Sequence, residues 1–480
     1  MLFPTFKFFV FFCIVFAVYW ALPAMLRRLP WTARWPAHRL RMAWLLIASC
    51  YFYMSWNPLL ILLILFSASV DYVTAILLQH VTTLWKRRAL LVGSIATNLG
   101  LLAFFKYTNF LVGSAISSLN LFGFRNDPFI LDIILPLGIS FYTFETISYI
   151  VDVYQGKIKP VRNLLDYALY IMFFPHLVAG PIVRPREFLP QLQQEKRWNW
   201  DRLQLGLQYF VIGLFKKAVI ADQLATLVDP VFARPASFAS SSIWLAVLCY
   251  AVQIYCDFSG YSDMAVGLAH TLGFKLPRNF NLPYFADSIT DFWRRWHISL
   301  SSWLRDYLYI PLGGNRHGEL ATYRNLLLTM LLGGLWHGAS WTFVAWGLYH
   351  GLLLSLHRAI PWPRWLGHAA FKPVMVAGTF LAVCVGWVFF RAQTFADASV
   401  ILQRMAWSTG GKSIDQTAFT FGAAGLLFMF LCYLIASFID LKRVERWLPA
   451  PVLGTSMAIV FLLAQVLMPE DGKAFIYFQF

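Results

Sequence analysis

The chain carries little charge: Asp, Glu, Lys and Arg make up only 13% of its 480 residues, and 23 acidic side chains face 39 basic ones. A soluble domain carries about 25% charged residues, so a water-exposed globular surface is excluded for most of this sequence. Cysteine is also scarce. Cys13, Cys50, Cys249, Cys256, Cys384 and Cys432 lie in or beside apolar runs without CxxC spacing, and they read as small core hydrophobes rather than disulfide partners or metal ligands. No GxSxG nucleophile elbow occurs, which leaves a serine-esterase reading without support. No repeat, low-complexity tract or flexible linker divides the chain, so residues 1–480 read as a single integral membrane domain.

What is abundant is apolar: 59% of the residues are hydrophobic and 18% aromatic. Apolar runs fall near 5–24, 42–79, 89–105, 129–151, 164–183, 205–229, 241–256, 325–356, 373–390, 419–439 and 450–468. Only helices satisfy the backbone in lipid at these lengths, so the expected fold is all-α and polytopic, with about a dozen transmembrane or re-entrant helices. The first run lacks a clear small-residue cleavage site and reads as a retained helix. The net charge of +16 does not indicate nucleic acid, because the basic residues punctuate the ends of hydrophobic runs. Arg27, Arg28, Arg34, Arg39 and Arg41, then Lys86, Arg87 and Arg88, are expected to be cytoplasmic, which places the N-terminus outside.

His337 lies within LLLTMLLGGLWHGASWTFVAWGLY (Leu326–Tyr349), which holds no other ionisable acid or base and is bounded by Arg324 and His350. Read as one span at about 1.5 Å per residue, the run puts the imidazole roughly halfway through the hydrocarbon layer. An ionisable group there is costly, so it reads as a functional site facing a cavity or the bundle interior, against a structural histidine bonded to a neighbouring helix. Gly333, Gly334, Gly338, Ala339 and Ser340 leave one side bare for close packing or for substrate.

The stretch Asp291–Arg316 repeats Trp293, Trp296, Leu300, Trp303, Leu304 and Tyr307 at helical spacing, flanked by Arg294, Arg295 and Arg305. It predicts a helix lying at the interface or dipping into the protein, with His297 projecting on the apolar stripe near Trp293 and Leu304. The arginines either anchor this helix to headgroups or bind a phosphate-bearing group. In CDFSGYSDMA (Cys256–Ala265), Asp257, Ser259, Tyr261 and Asp263 are candidates for lining a tunnel or bonding helices together. His176, in FPHLVAG beside a Gly-Pro break, reads as a structural or tunnel-wall residue. His38, His80, His317 and His368 lie in polar connections, and His350 and His357 are read at a helix end.

The runs WRRWHISLSSWLRDYLYIPLGGNR and YRNLLLTMLLGGLWHGASW resemble the signature region of the membrane-bound O-acyltransferase family. The similarity extends to FKYTNF (105–110), LPLGISFYTFETISYIVDVY (135–154), FPHLVAGPIVRP (174–185), YCDFSGYSDMAVGLA (255–269), GWVFFRA (386–392) and FIYFQF (475–480). It is nearest the bacterial branch that O-acetylates alginate or peptidoglycan or transfers D-alanine to teichoic acid. The resemblance implies a ring of helices around a central tunnel, with His337 catalytic and His297 an accessory active-site residue. It also implies an acyl thioester from the cytoplasm, an acceptor from the other side, and a separate periplasmic esterase-like partner.

Acyl transfer to a hydroxyl needs a base as the carbonyl is attacked, which suits neutral imidazole. The expected function is therefore membrane O-acetylation of an extracytoplasmic polysaccharide, alginate-type, another exopolysaccharide or peptidoglycan. The donor is acetyl-CoA acting as a substrate, with no bound cofactor and no metal, and the location is the bacterial inner membrane. D-alanyl transfer from a carrier-protein thioester is the alternative within the class. A transporter is the alternative outside it, although no inverted repeat links the two halves.

Overall fold

The computed structural model describes residues 3–26, 36–124, 130–363, 365, 368–438 and 450–467. Arg27, Arg28, Arg34 and the closing FIYFQF lie outside the described residues. Twenty α-helices and no β-strand occur among the described residues, in keeping with the all-α expectation. In chain order they are α1 Phe6–Leu26, α2 Ala37–Met54, α3 Ile61–His80, α4 Leu84–Leu102, α5 Thr108–Leu121, α6 Ile139–Tyr154, α7 Leu164–Met172, α8 Phe174–Leu177, α9 Pro185–Leu192 and α10 Trp200–Leu214. There follow α11 Asp222–Ala233, α12 Ser240–Thr271, α13 Ile289–Arg295, α14 Ile298–Leu304, α15 Glu319–His337, α16 Trp341–Ala359, α17 Lys372–Arg391, α18 Phe395–Ala406, α19 Gln416–Phe438 and α20 Ala450–Leu467. Among the described residues, six helical segments are long and apolar enough to cross a membrane: Phe6–Met25, Pro58–His80, Leu84–Leu121, Ser240–Thr271, Ala369–Arg391 and Gln416–Ala436. The chain forms two compact units, Met1–Tyr209 with Ala265–Pro277, and Phe210–Met264 with Arg278–Phe480.

In the first unit, polar side chains join helices whose surroundings offer no water. Asp71 on α3 is fully buried and accepts hydrogen bonds from Ser94 Oγ and, at 3.0 Å, from Asn98 Nδ2 on α4. Asn98 Oδ1 in turn accepts from Thr146 Oγ1 on α6 at 3.2 Å. An apolar residue at 71 would orphan these donors, so the joint specifies how α3, α4 and α6 pack. Two expected cytoplasmic cations are built into the structure. Arg41 is buried, donates to the Tyr19 and Lys196 carbonyls at 3.0 and 2.7 Å, and stacks over Tyr19 and Trp20. Arg87 donates to the Leu78 and Val81 carbonyls and closes the C-terminal end of α3.

In the second unit, small residues set the closest helix contacts. A Cβ at Gly213 would collide with the Gly260 carbonyl, so this crossing of α10 and α12 requires glycine. The α15–α16 pair is an antiparallel hairpin whose arms meet at Gly334, Gly347 and Gly351; a Cβ at Gly334 would strike the Phe343 carbonyl, and one at Gly347 the Met330 carbonyl. The expected single span over Leu326–Tyr349 is thus corrected to two arms. The sequence folds back because Gly338 and Ser340 are extended, and the Ser340 side chain caps α16 by accepting from the Thr342 N–H at 3.3 Å. His350 is corrected too: it lies fully buried in the middle of α16, not at a helix end.

Candidate active site

His337 is the last residue of α15, at the fold of the hairpin, and is 3% exposed. Its ring sits among the rings of Trp336, Trp346 and Phe390 at centroid distances of 5.0, 5.1 and 5.4 Å. These aromatics exclude bulk water from the imidazole. Its sequence position suggested a mid-helix residue, whereas the fold sets it at a helix terminus beside the glycine-rich turn.

The helix expected over Asp291–Arg316 is broken at His297. The chain leaves α13 through an extended Trp296 and enters α14 through His297, whose φ and ψ are 44° and 54°. The segment before α13 satisfies the broken backbone: Asn281 N–H donates to the Arg295 carbonyl and Ile298 N–H to the Asn279 carbonyl, both at 2.9 Å. A helical wheel therefore misplaces His297, because the two halves of the stripe no longer share an axis. The left-handed residue turns its fully buried imidazole toward Phe258, with ring centroids 4.6 Å apart, and toward His337, 6.3 Å away.

The structure thus brings His297 and His337 together and sorts the other candidates. Arg294 is exposed. Arg295 pairs with Asp291 at 2.7 Å and borders an apolar cavity of about 1140 Å³ that is also walled by Tyr255, Tyr284, Phe380 and Tyr433. Tyr255 and Tyr284 contact Trp296 from that side, so one aromatic layer stands between this cavity and the chain at His297. Arg305 is exposed and pairs with the adjacent Asp306 at 2.7 Å. Asp257 and Asp263 are committed to cations: Lys217 Nζ lies 2.6 Å from Asp257 and 2.7 Å from Asp222, and Lys216 Nζ lies 2.6 Å from Asp263. Ser259 and Tyr261 are buried on the same helix. His176 belongs to the first unit, where its Nε2 lies 3.0 Å from the Tyr170 carbonyl and 3.5 Å from the Glu145 carboxylate.

Several contributors escaped the sequence reading. Lys216 and Lys217 sit in a π-helical segment, Phe215–Ala221, inside a run read only as apolar; two adjacent cations within such a run were the available signal. Asn279 and Trp346 carry no motif that separates them from ordinary helix and loop residues, and Phe390 falls in the GWVFFRA stretch without being singled out there; only the fold places all three at the histidines.

The structure thus sets two buried histidines side by side in an apolar, helical protein. Residues 158–396 match the profile described as MBOAT, membrane-bound O-acyltransferase family. "Probable alginate O-acetylase AlgI" of Pseudomonas putida is 47% identical over 358 residues, covering 74% of this chain and 72% of that protein. A protein of the same name from Pseudomonas aeruginosa is 43% identical, covering 84% and 77%. "Peptidoglycan O-acetyltransferase" of Helicobacter pylori is 42% identical, covering 76% and 74%. The chain belongs to the membrane-bound O-acyltransferase family, and it is an O-acyltransferase.

Proposed function

We propose that this O-acyltransferase takes an acetyl group from a cytoplasmic thioester, acetyl-CoA, and moves it across the bacterial inner membrane for O-acetylation of an extracytoplasmic polysaccharide. The single observation that carries the chemistry is the burial of His297 and His337 with their rings 6.3 Å apart inside an aromatic enclosure. In the proposed step His337 removes the proton of the acceptor hydroxyl as its oxygen attacks the thioester carbonyl. The C–O bond forms, the C–S bond breaks, and the departing thiolate takes up the proton from the imidazolium. A dry enclosure suits this reaction because water competes for the same carbonyl. The similarity to alginate and peptidoglycan O-acetylating proteins supports acetyl as the group and a glycan as the destination. A ring of helices around a tunnel and a periplasmic esterase-like partner that completes delivery belong to the same proposal.

Purified protein in detergent, given acetyl-CoA and a small hydroxyl acceptor, is expected to release free thiol at a rate that depends on His337. A transporter needs a membrane and a gradient, whereas thioester cleavage needs neither. No thiol release, even with the periplasmic partner added, would overturn the enzyme reading of the site. Release only from an aminoacyl carrier protein would replace acetyl by D-alanyl.

Arg305 supplies a second test, of the donor side. Its guanidinium is exposed and pairs with the neighbouring Asp306, and its exposed side leaves it accessible to donor phosphate. Arg305→Glu is expected to raise the apparent KM for acetyl-CoA several-fold, within the range of about 0.2–1 kcal/mol or somewhat more for an exposed charge contact. Unchanged donor KM together with poorer membrane insertion would assign the arginine to headgroup anchoring instead.

A further inference from the structure

The left-handed backbone at His297 is strained for a residue with a side chain, and such a conformation persists only where neighbours impose it. Asn279 imposes it. Its carbonyl accepts the Ile298 N–H at 2.9 Å. Its side-chain Oδ1 accepts the Ser299 N–H at 3.2 Å and the Ser299 hydroxyl at 2.9 Å, and lies 3.1 Å from His297 Nδ1. Its Nδ2 donates to Ser262 Oγ on α12 at 3.1 Å. Asn279, Ser262, Ser299 and His297 are all buried, at 2%, 2%, 4% and 0% exposure, so water does not compete for these bonds.

The network fixes the proton on the imidazole. A backbone N–H can only donate, so the Asn279 atom facing Ser299 is the oxygen. That oxygen has no proton to offer His297, and Nδ1 must therefore be the donor. In a neutral imidazole the lone pair then sits on Nε2. Nε2 is buried and has no hydrogen-bond partner among the described residues.

We propose that Asn279 is a positioning residue of the acyl-transfer site, holding His297 as the Nδ1–H tautomer so that its Nε2 receives a hydrogen bond from the incoming acceptor. The proposal rests on the functional reading above and deepens it. A ring without an ε proton has nothing to donate to a thioester carbonyl, so His297 does not polarise the donor. It holds a donor group of the acceptor molecule while the reacting hydroxyl loses its proton to His337. The pairing of an asparagine oxygen behind a histidine is a known way of orienting an imidazole for acyl transfer on unrelated folds.

Protein labelled with ¹⁵N-histidine and reconstituted in lipid tests this by solid-state NMR, with the His297 signals assigned by their loss in His297→Gln. The wild type is expected to show a protonated Nδ1 and a bare Nε2 at neutral pH. Asn279→Leu should mix the tautomers and lower kcat on the order of 10²-fold, as for a misplaced catalytic group, with donor KM unchanged. Asn279→Asp keeps the acceptor oxygen, so tautomer and most of the activity should return, but the added negative charge favours imidazolium and moves the acid limb of the pH profile upward. Among the described residues the groups facing His297 are Phe258 from α12, Trp336 and His337 from α15, and Asn279 and Ser299; of these only His337 is of an ionisable type in the wild type. A protonated Nε2 in the wild type would overturn the proposal. So would equal losses in both variants with the tautomer unchanged, which would make Asn279 merely structural. A wild type without thioester chemistry would remove the functional reading, while the NMR would still decide the tautomer.

Discussion

Replacing His337 with alanine is expected to lower acyl transfer by about 10²–10⁴-fold, the contribution of a positioned general base, while the protein still inserts and folds. Folding should survive because the enclosure does not hang on the imidazole alone: Trp346 and Phe390 contact each other directly at 5.3 Å, and the hairpin is held by backbone approach at Gly334 and Gly347. Alanine leaves a small void among the rings, so His337→Gln serves as the companion variant. It restores most of the volume without a basic nitrogen and should be as inactive as alanine. Polymer acetylation in cells making equal amounts of each variant, together with thiol release by purified protein, measures the effect. Normal acetylation by either variant would remove His337 from the chemistry.

The parts of this protein legible in the sequence are those written in composition and in long local patterns. Apolar runs of span length announced α1, α3, α17 and α19, because in lipid a helix needs no partner to satisfy its backbone. His337 stood out because an ionisable side chain in such a run is rare. What the sequence hid is where those patterns stop. The stripe from Trp293 to Tyr307 keeps helical spacing across His297, yet the helix breaks there, because Asn279 and Asn281 offer the backbone a competing set of hydrogen bonds. That competition comes from residues outside the stripe, and no periodicity within it reveals the partner. The hairpin turn after His337 was hidden for a related reason. Gly338 and Ser340 are compatible with a packed transmembrane helix, and only the fit of Gly334 and Gly347 against the facing backbone commits the chain to fold back. The same two features decide the site. A continuous helix at 291–316 and a straight span at 326–349 would each carry a histidine, but neither would bring the two rings to 6.3 Å.

Lys217→Met is expected to destabilise the protein by about 3–5 kcal/mol, the cost of breaking a buried ion pair by removing one partner. Lys217 is 2% exposed, and its Nζ lies within hydrogen-bond distance of the carboxylates of both Asp222 and Asp257. Methionine keeps the length of the stem and removes the charge, so packing loss is small. Two carboxylates are then left facing the same apolar space. Asp222→Asn and Asp257→Asn added to Lys217→Met should recover much of the loss, because neutral amides are far less costly to bury than uncompensated charges. The thermal unfolding midpoint in detergent should therefore fall for the single variant and rise again for the triple one. The effect reaches the candidate site through α12: Asp257 precedes Phe258, whose ring packs at 4.6 Å on His297, and Ser262 on the same helix anchors Asn279. Protein of the single variant that remains folded should accordingly show a lower kcat than wild type. An unchanged midpoint in Lys217→Met would mean that the two carboxylates tolerate the loss of their cation, and that α12 is held by its glycine and aromatic contacts instead.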